Sequence, residues 1–253
     1  MAVLTNYFNI IETQVLILKL ERDCFMKNKE KILGILPRYA PIPLICACAF
    51  NCIIYSGLMF LMGPDVKRYD FTNDFDRMVP FIPAFASIYL LCYIFWTINY
   101  CMIGSISKEH LYRFLVGDML SRVICGICFI LIPTTNVRPE ITGTGFWDNV
   151  MKFIYTVDQP ENLFPSIHCL ASWFCYLGIK NQKKIPKWYQ ITSLGIALLI
   201  CISTQVTKQH YIVDMIGGIL LSYICFAIGQ KTDWYKKLEK IFTAINRKFH
   251  MEI

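Results

Sequence analysis

The chain has 253 residues, of which 55% are hydrophobic and only 17% charged. That balance excludes an ordinary soluble domain and predicts a single all-α integral membrane bundle. The formal net charge of +7 does not imply a nucleic-acid partner, because the basic residues lie between apolar spans rather than along one amphipathic face.

In chain order, residues 3–20 are apolar but interrupted by Thr5, Asn6, Asn9, Glu12, Thr13 and Gln14. Such a stretch predicts an interfacial helix in a cytoplasmic segment 1–36 rather than a span. It lacks the basic start and small-residue cleavage site of a signal peptide, so it is expected to be retained. Six runs then meet the length criterion for crossing a bilayer, at 41–62, 80–103, 111–133, 165–180, 188–205 and 210–229. They predict a six-helix membrane domain over 37–230, followed by a basic cytoplasmic tail, 231–253, with an amphipathic stretch at 233–248 suited to anionic lipid. Most Lys and Arg residues fall on the side of the two termini, which the positive-inside rule places in the cytoplasm. Arg138, His168, Lys208 and His210 then share the opposite, extracytoplasmic face of a multi-pass protein of the cell membrane.

Most of the twelve cysteines, such as Cys46, Cys92 and Cys201, sit inside apolar runs and read as small packing residues. Cys125 and Cys128 have C-x-x-C spacing but lie within a span and lack a second pair, which argues against a metal or redox site. Asp118 and Arg122 are one helical turn apart in the third span and predict an intramembrane ion pair facing the bundle interior. Gly217, Gly218 and Ser222 predict close helix packing in the last span. Asp70, Asp74, Asp76 and Arg77 in the first outer loop read as a solvated face, with shaping of substrate entry as the alternative. The loop over 134–164, with Arg138, Pro139, Gly143, Gly145 and Asp158, is long enough to expect function.

Two segments carry the chemistry. His210 and Asp214 share one helical face at the start of a span, so the carboxylate can orient the imidazole and leave its other nitrogen as a nucleophile. In Phe164-Pro165-Ser166-Ile167-His168, proline suits a first helical turn, and the N–H groups of a helix start favour an anion such as phosphate. His168 in that turn can donate a proton to a departing oxygen. Arg138 and Lys208 supply cations for phosphate oxygens, with anchoring at the headgroup level as the alternative for each. The outer face carries no cluster of carboxylates with divalent-metal geometry, so no metal and no cofactor are expected.

With Arg138-Pro139, Pro165-Ser166-x-His168 and Ser203-x6-His210-x3-Asp214, the chain resembles the type 2 phosphatidic acid phosphatase superfamily over about residues 40–230. Two cations of that pattern are missing: Leu131 stands at its Lys position and Thr204 at its second Arg position. The string Gln209-His210-Tyr211-x-x-Asp214 is similar to the branch containing inositol phosphorylceramide and sphingomyelin synthases. The resemblance implies a six-span, metal-independent enzyme in which His210 attacks phosphorus, Asp214 orients it, His168 serves as acid and base, and Arg138, Ser166 and Lys208 hold the phosphate. The expected substrate is a lipid phosphate or pyrophosphate in the bilayer. Transfer of a phospho-headgroup to an alcohol is the alternative, and a non-enzymatic transporter or scaffold of the same fold is a third. The oligomeric state is left open.

Overall fold

The structure, a computed structural model, describes residues 31–32, 36–62 and 65–251. The interfacial helix expected at 3–20 lies outside the described residues. After a short antiparallel pair, β1 (Lys31–Ile32) and β2 (Leu36–Pro37), the chain enters α1 (Pro41–Cys52), which starts on two prolines as a first turn allows. It continues with helical dihedrals through a π-helical turn (Ile53–Gly57) into α2 (Leu58–Met62). Next come β3 (Tyr69–Asp70), the short α3 (Asp74–Met78), a 3-10 turn (Pro83–Phe85) and α4 (Ala86–Ile106). The remaining elements are α5 (Lys108–Leu131), β4 (Thr134–Thr135), α6 (Phe146–Val157), α7 (Ile167–Ile179), α8 (Lys187–Val206), α9 (Ile212–Lys231) and α10 (Trp234–Lys248).

Four helical stretches, Pro83–Ile106, Lys108–Leu131, Lys187–Val206 and Ile212–Lys231, are long and apolar enough to cross a bilayer. Pro41–Gly57 and Ile167–Ile179 are apolar but shorter. All six of the expected apolar runs are therefore helical, and four of them have full spanning length. The loop expected at 134–164 is not irregular throughout. It contains α6, whose first turn carries Asp148 accepting the Gly145 N–H at 3.0 Å.

At the core, α5 packs against α9, and α7 packs against α8 and α9. Leu111, Phe114, Phe129, Leu170 and Phe174 are fully buried there. Small residues set the spacing. A Cβ on Gly117 would stand 2.6 Å from the Cys225 carbonyl oxygen, and one on Gly218 would stand 2.6 Å from that of Ser166. The second contact brings the start of α9 against the start of α7, so it registers the two histidine segments. Replacing Gly218 with valine is expected to force α7 and α9 apart, costing about 1–3 kcal/mol as overpacking does. A thermal unfolding midpoint equal to that of the unaltered protein would refute this role.

The Asp118–Arg122 pair forms as expected, with Arg122 Nη2 donating to Asp118 Oδ1 at 2.9 Å and both side chains 3% exposed. At the other end of the bundle, Arg113 Nη1 donates to the carbonyls of Gln230 (2.6 Å) and Thr232 (3.2 Å), closing the C-terminus of α9. There α10 lies along α5 with Tyr235, Phe242 and Asn246 buried, while Lys236, Lys237, Lys240, Arg247 and Lys248 stay exposed.

Candidate active site

The turn between α8 and α9 is held from every side. The Thr204 carbonyl accepts the N–H groups of Gln209 and His210, each at 3.0 Å. Lys208 takes a left-handed backbone conformation (φ 55°), uncommon for a residue with a Cβ. Its carbonyl accepts from Asn136 Nδ2 at 3.0 Å, and the Tyr155 hydroxyl donates to the Thr207 carbonyl at 2.8 Å. The loop between α2 and α4 holds the same turn. Asp76 is 2% exposed: its Oδ2 accepts the Asn73 N–H at 3.0 Å and its Oδ1 accepts the Ile212 N–H at 2.9 Å. The reading of this aspartate as part of a solvated face is therefore corrected. It caps α9 across the fold as well as its own helix.

The segment leading into α7 is fixed from β4. Thr134 Oγ1 accepts the N–H groups of Leu163 and Phe164, both at 2.8 Å. Ser166 is fully buried; its Oγ accepts the Cys169 N–H at 3.3 Å, and its own N–H donates to the Asp214 carbonyl at 3.0 Å. The Ser166 N–H is thus committed to α9. The first-turn N–H groups without an intrahelical acceptor are those of Ile167 and His168.

These constraints bring the two histidines together, with ring centroids 5.6 Å apart. His168 is enclosed by Tyr89 and Trp96, whose ring centroids lie 4.6 Å and 5.6 Å from its own. His210 Nδ1 stands 3.6 Å from Asp214 Oδ2, a charge contact longer than a hydrogen bond. Asp214 Oδ2 also accepts the Tyr211 N–H at 2.9 Å, so one carboxylate caps α9 and faces the imidazole. Burial works against a charged His210, but the Asp214 carboxylate, with smaller contributions from Cys169 and Asp158, outweighs it and holds the imidazole above the usual histidine range.

Arg138 reaches the same place from the loop after β4. Its Nη1 donates to the Asp158 carbonyl at 2.6 Å, its Nη2 donates to Gln209 Oε1, and its guanidinium lies 4.5 Å from the Tyr155 ring centroid. Its Nε and Gln209 Nε2 have no hydrogen-bond partner among the described residues. Asp158, which the sequence marks only as one residue of a long loop expected to be functional, completes the site. Its carboxylate accepts from Tyr55 at 2.9 Å and Tyr89 at 2.5 Å. Burial pushes that carboxyl up, but the facing His168, the two tyrosine hydroxyls and His210 outweigh burial and keep it below the ordinary carboxylate range. The available signal was Tyr55 and Tyr89 inside apolar spans, since a buried phenol needs a polar partner. Tyr55 lies in the π-helical turn, a distortion frequent at functional sites.

Lys208 is directed elsewhere, its Nζ donating to the carbonyls of Asp76 (2.7 Å) and Val79 (2.6 Å). With Arg138, Arg77, Tyr211 and Asp76 it lines a cavity of about 730 Å³. Leu131 is 70% exposed at the end of α5, on the outside of the bundle. Thr204 is fully buried, its hydroxyl donating to the Cys201 carbonyl at 2.8 Å. Among the described residues no three His, Cys, Asp or Glu side chains group in a way that could hold a metal ion.

Comparison with known proteins adds an independent finding. A family model described as the PAP2 superfamily matches residues 75–228. A stretch of 68 residues is 35% identical to the inositol phosphorylceramide synthase catalytic subunit of Schizosaccharomyces pombe, covering 27% of this chain and 15% of that protein. Another of 76 residues is 33% identical to an uncharacterized protein of Methanocaldococcus jannaschii, covering 30% of each chain. The chain thus spans less than a third of the length of either relative.

Proposed function

Because the chain belongs to the PAP2 superfamily, we propose that it is a metal-independent membrane enzyme that removes phosphate from a lipid phosphate or pyrophosphate. The active site faces the extracytoplasmic side of a six-span bundle with both termini in the cytoplasm. The observation that carries this reading is the approach of the His168 and His210 rings to 5.6 Å with a carboxylate behind His210.

His210 Nε2 attacks phosphorus and forms a phosphohistidine while the bond to the lipid oxygen breaks. His168 gives its proton to that oxygen, then takes one from water as the water oxygen attacks phosphorus and releases His210. Asp214 offsets the positive charge that grows on the imidazole. Arg138 and the N–H groups of Ile167 and His168 hold the phosphate oxygens, the electrostatic part of phosphoryl transfer. Ser166 builds that turn, and Lys208 adds positive charge to the neighbouring cavity. Asp158 sets the environment of His168 and anchors Arg138. Replacing Asp158 with asparagine is expected to lower kcat by about 10- to 100-fold and to move the pH profile. An unchanged profile would assign Asp158 to packing alone.

A second reading is favoured by the stretch shared with a phosphorylceramide synthase subunit: the acceptor in the second half-reaction is an alcohol rather than water. The experiment that separates the two is incubation of the purified protein, without added metal, with a panel of lipid phosphates, with and without diacylglycerol or ceramide. Free phosphate and lipid products are measured together, and chelator is added in a parallel sample. Phosphate release supports the phosphatase, while a new phospholipid without free phosphate moves the enzyme to the transferase. Loss of activity with chelator would overturn the metal-independent mechanism. No product in either form would support a transporter or scaffold.

A further inference from the structure

A second cavity, of about 320 Å³, lies inside the bundle among α1, α4, α5 and α7. Tyr93, Trp96 and Ile167 border it, and the Tyr93 and Trp96 rings also flank His168 at 6.5 Å and 5.6 Å, so this cavity adjoins the candidate active site. Its walls are almost entirely carbon. Ile45 on α1 and Tyr93 on α4 also line it and are 67% and 54% exposed, so it reaches the flank of the bundle, where hydrocarbon surrounds a membrane protein.

The Asp118–Arg122 pair interrupts that apolar wall. Asp118 Oδ1 accepts both Arg122 Nη2 (2.9 Å) and the Tyr100 hydroxyl (2.8 Å). Arg122 is only 3% exposed, yet its Nε and Nη1 have no hydrogen-bond partner among the described residues. Asn51 Oδ1, in the same cavity, is also unpartnered among them. A buried donor of this kind is costly unless something accepts from it. Asp118 already neutralises the guanidinium, so the matching ligand is a neutral acceptor rather than a second anion.

We propose that this cavity binds the acyl region of the lipid substrate, with Arg122 Nε and Nη1 donating to an ester or amide carbonyl at the root of the chain. The apolar walls receive the hydrocarbon, and the two donors distinguish acyl lipids from isoprenoid or ether lipids, which offer no carbonyl there. An amide N–H would in addition meet Asn51 Oδ1. The assignment rests on the proposed function only in treating the occupant as substrate.

The test measures binding rather than turnover, on the full chain carrying His210→Ala, by quenching of Trp96 fluorescence. The probes are phosphatidic acid with brominated acyl chains, its ether-linked analogue without carbonyls, and a brominated ceramide 1-phosphate. Subtracting the signal of a Trp96→Phe protein isolates the reporter. The ester and amide probes are expected to quench at concentrations at least about tenfold below the ether probe, the scale of a hydrogen bond to a charged group. Combining Arg122→Met with Asp118→Asn should bring the three probes together, and Thr97→Phe, at the cavity wall, should weaken all of them. Equal binding of ester and ether probes, or quenching indifferent to Thr97→Phe, overturns the proposal. Should the double variant not fold, the probe comparison and Thr97→Phe decide it without that protein. Selective acyl binding without turnover by the unaltered enzyme would count against the proposed function and leave this site standing.

Discussion

Replacement of His210 by alanine is expected to reduce lipid phosphate turnover by roughly 10⁴-fold or more, the scale on which loss of a covalent nucleophile acts. The side chain is one of many polar groups buried around the site, and its partner Asp214 keeps the Tyr211 N–H as a donor after the truncation. The protein should therefore still fold, and a thermal unfolding profile checks this. Turnover with a phosphorus-labelled lipid and a rapid quench supplies the direct test. The unaltered protein should carry label that survives base and is lost in acid, as a phosphohistidine is, and the alanine variant should carry none. His210→Ala retaining more than a tenth of the activity would sink the nucleophile assignment. Labelling of the unaltered protein together with transfer to ceramide would keep the nucleophile and change the acceptor.

The two histidine segments were legible in the sequence because titrating groups at the ends of apolar runs are costly and few. What the sequence withheld was pairing. Asp76 and Ile212 are 136 residues apart, and Asp158 meets Tyr55 and Tyr89 across 103 and 69 residues. Periodicity assigns a side chain to a face but does not say which distant group will meet it. The reading of Asp76 as solvated failed for that reason, and Asp158 stayed one polar residue among several in a loop.

Helix α6 is a different case, since its signals were local. Gly145 followed by Asp148, then Val150, Met151 and Ile154 at helical spacing, marks an amphipathic start. The prolines and glycines before it carry turn signals that mask this start. Leu131 shows the opposite limit. The motif spacing identified the position, but the rotation of α5 leaves it 70% exposed on the outside of the bundle. A lysine there would need α5 to end differently in order to reach the phosphate. A cation that the fold does supply to this region is Arg138, held by Asp158 and Gln209.

Replacement of Asp214 by asparagine is expected to lower kcat by about 10³- to 10⁴-fold, as losing the carboxylate that orients and charges a catalytic imidazole does elsewhere. Asparagine keeps an oxygen for the Tyr211 N–H, so the start of α9 should survive. The electrostatic consequence can be worked out in sign. Attack requires neutral His210, so activity rises as pH climbs through the His210 pKa. Burial lowers that pKa, and Asp214 first, with Cys169 and Asp158, raises it further than burial lowers it, leaving it above the usual histidine range. Without the Asp214 charge, burial is opposed only by the smaller contributions of Cys169 and Asp158, and the pKa falls. The acid limb of the pH–rate profile must then move to lower pH even as the maximal rate drops. A structural role alone predicts a lower rate with the limb unmoved, and a limb displaced to higher pH would mean that Asp214 does not stabilise the imidazolium. Asp214→Ala adds the loss of the hydrogen bond to the Tyr211 N–H, about 1 kcal/mol, so its thermal midpoint should fall below that of Asp214→Asn while the two pH profiles coincide.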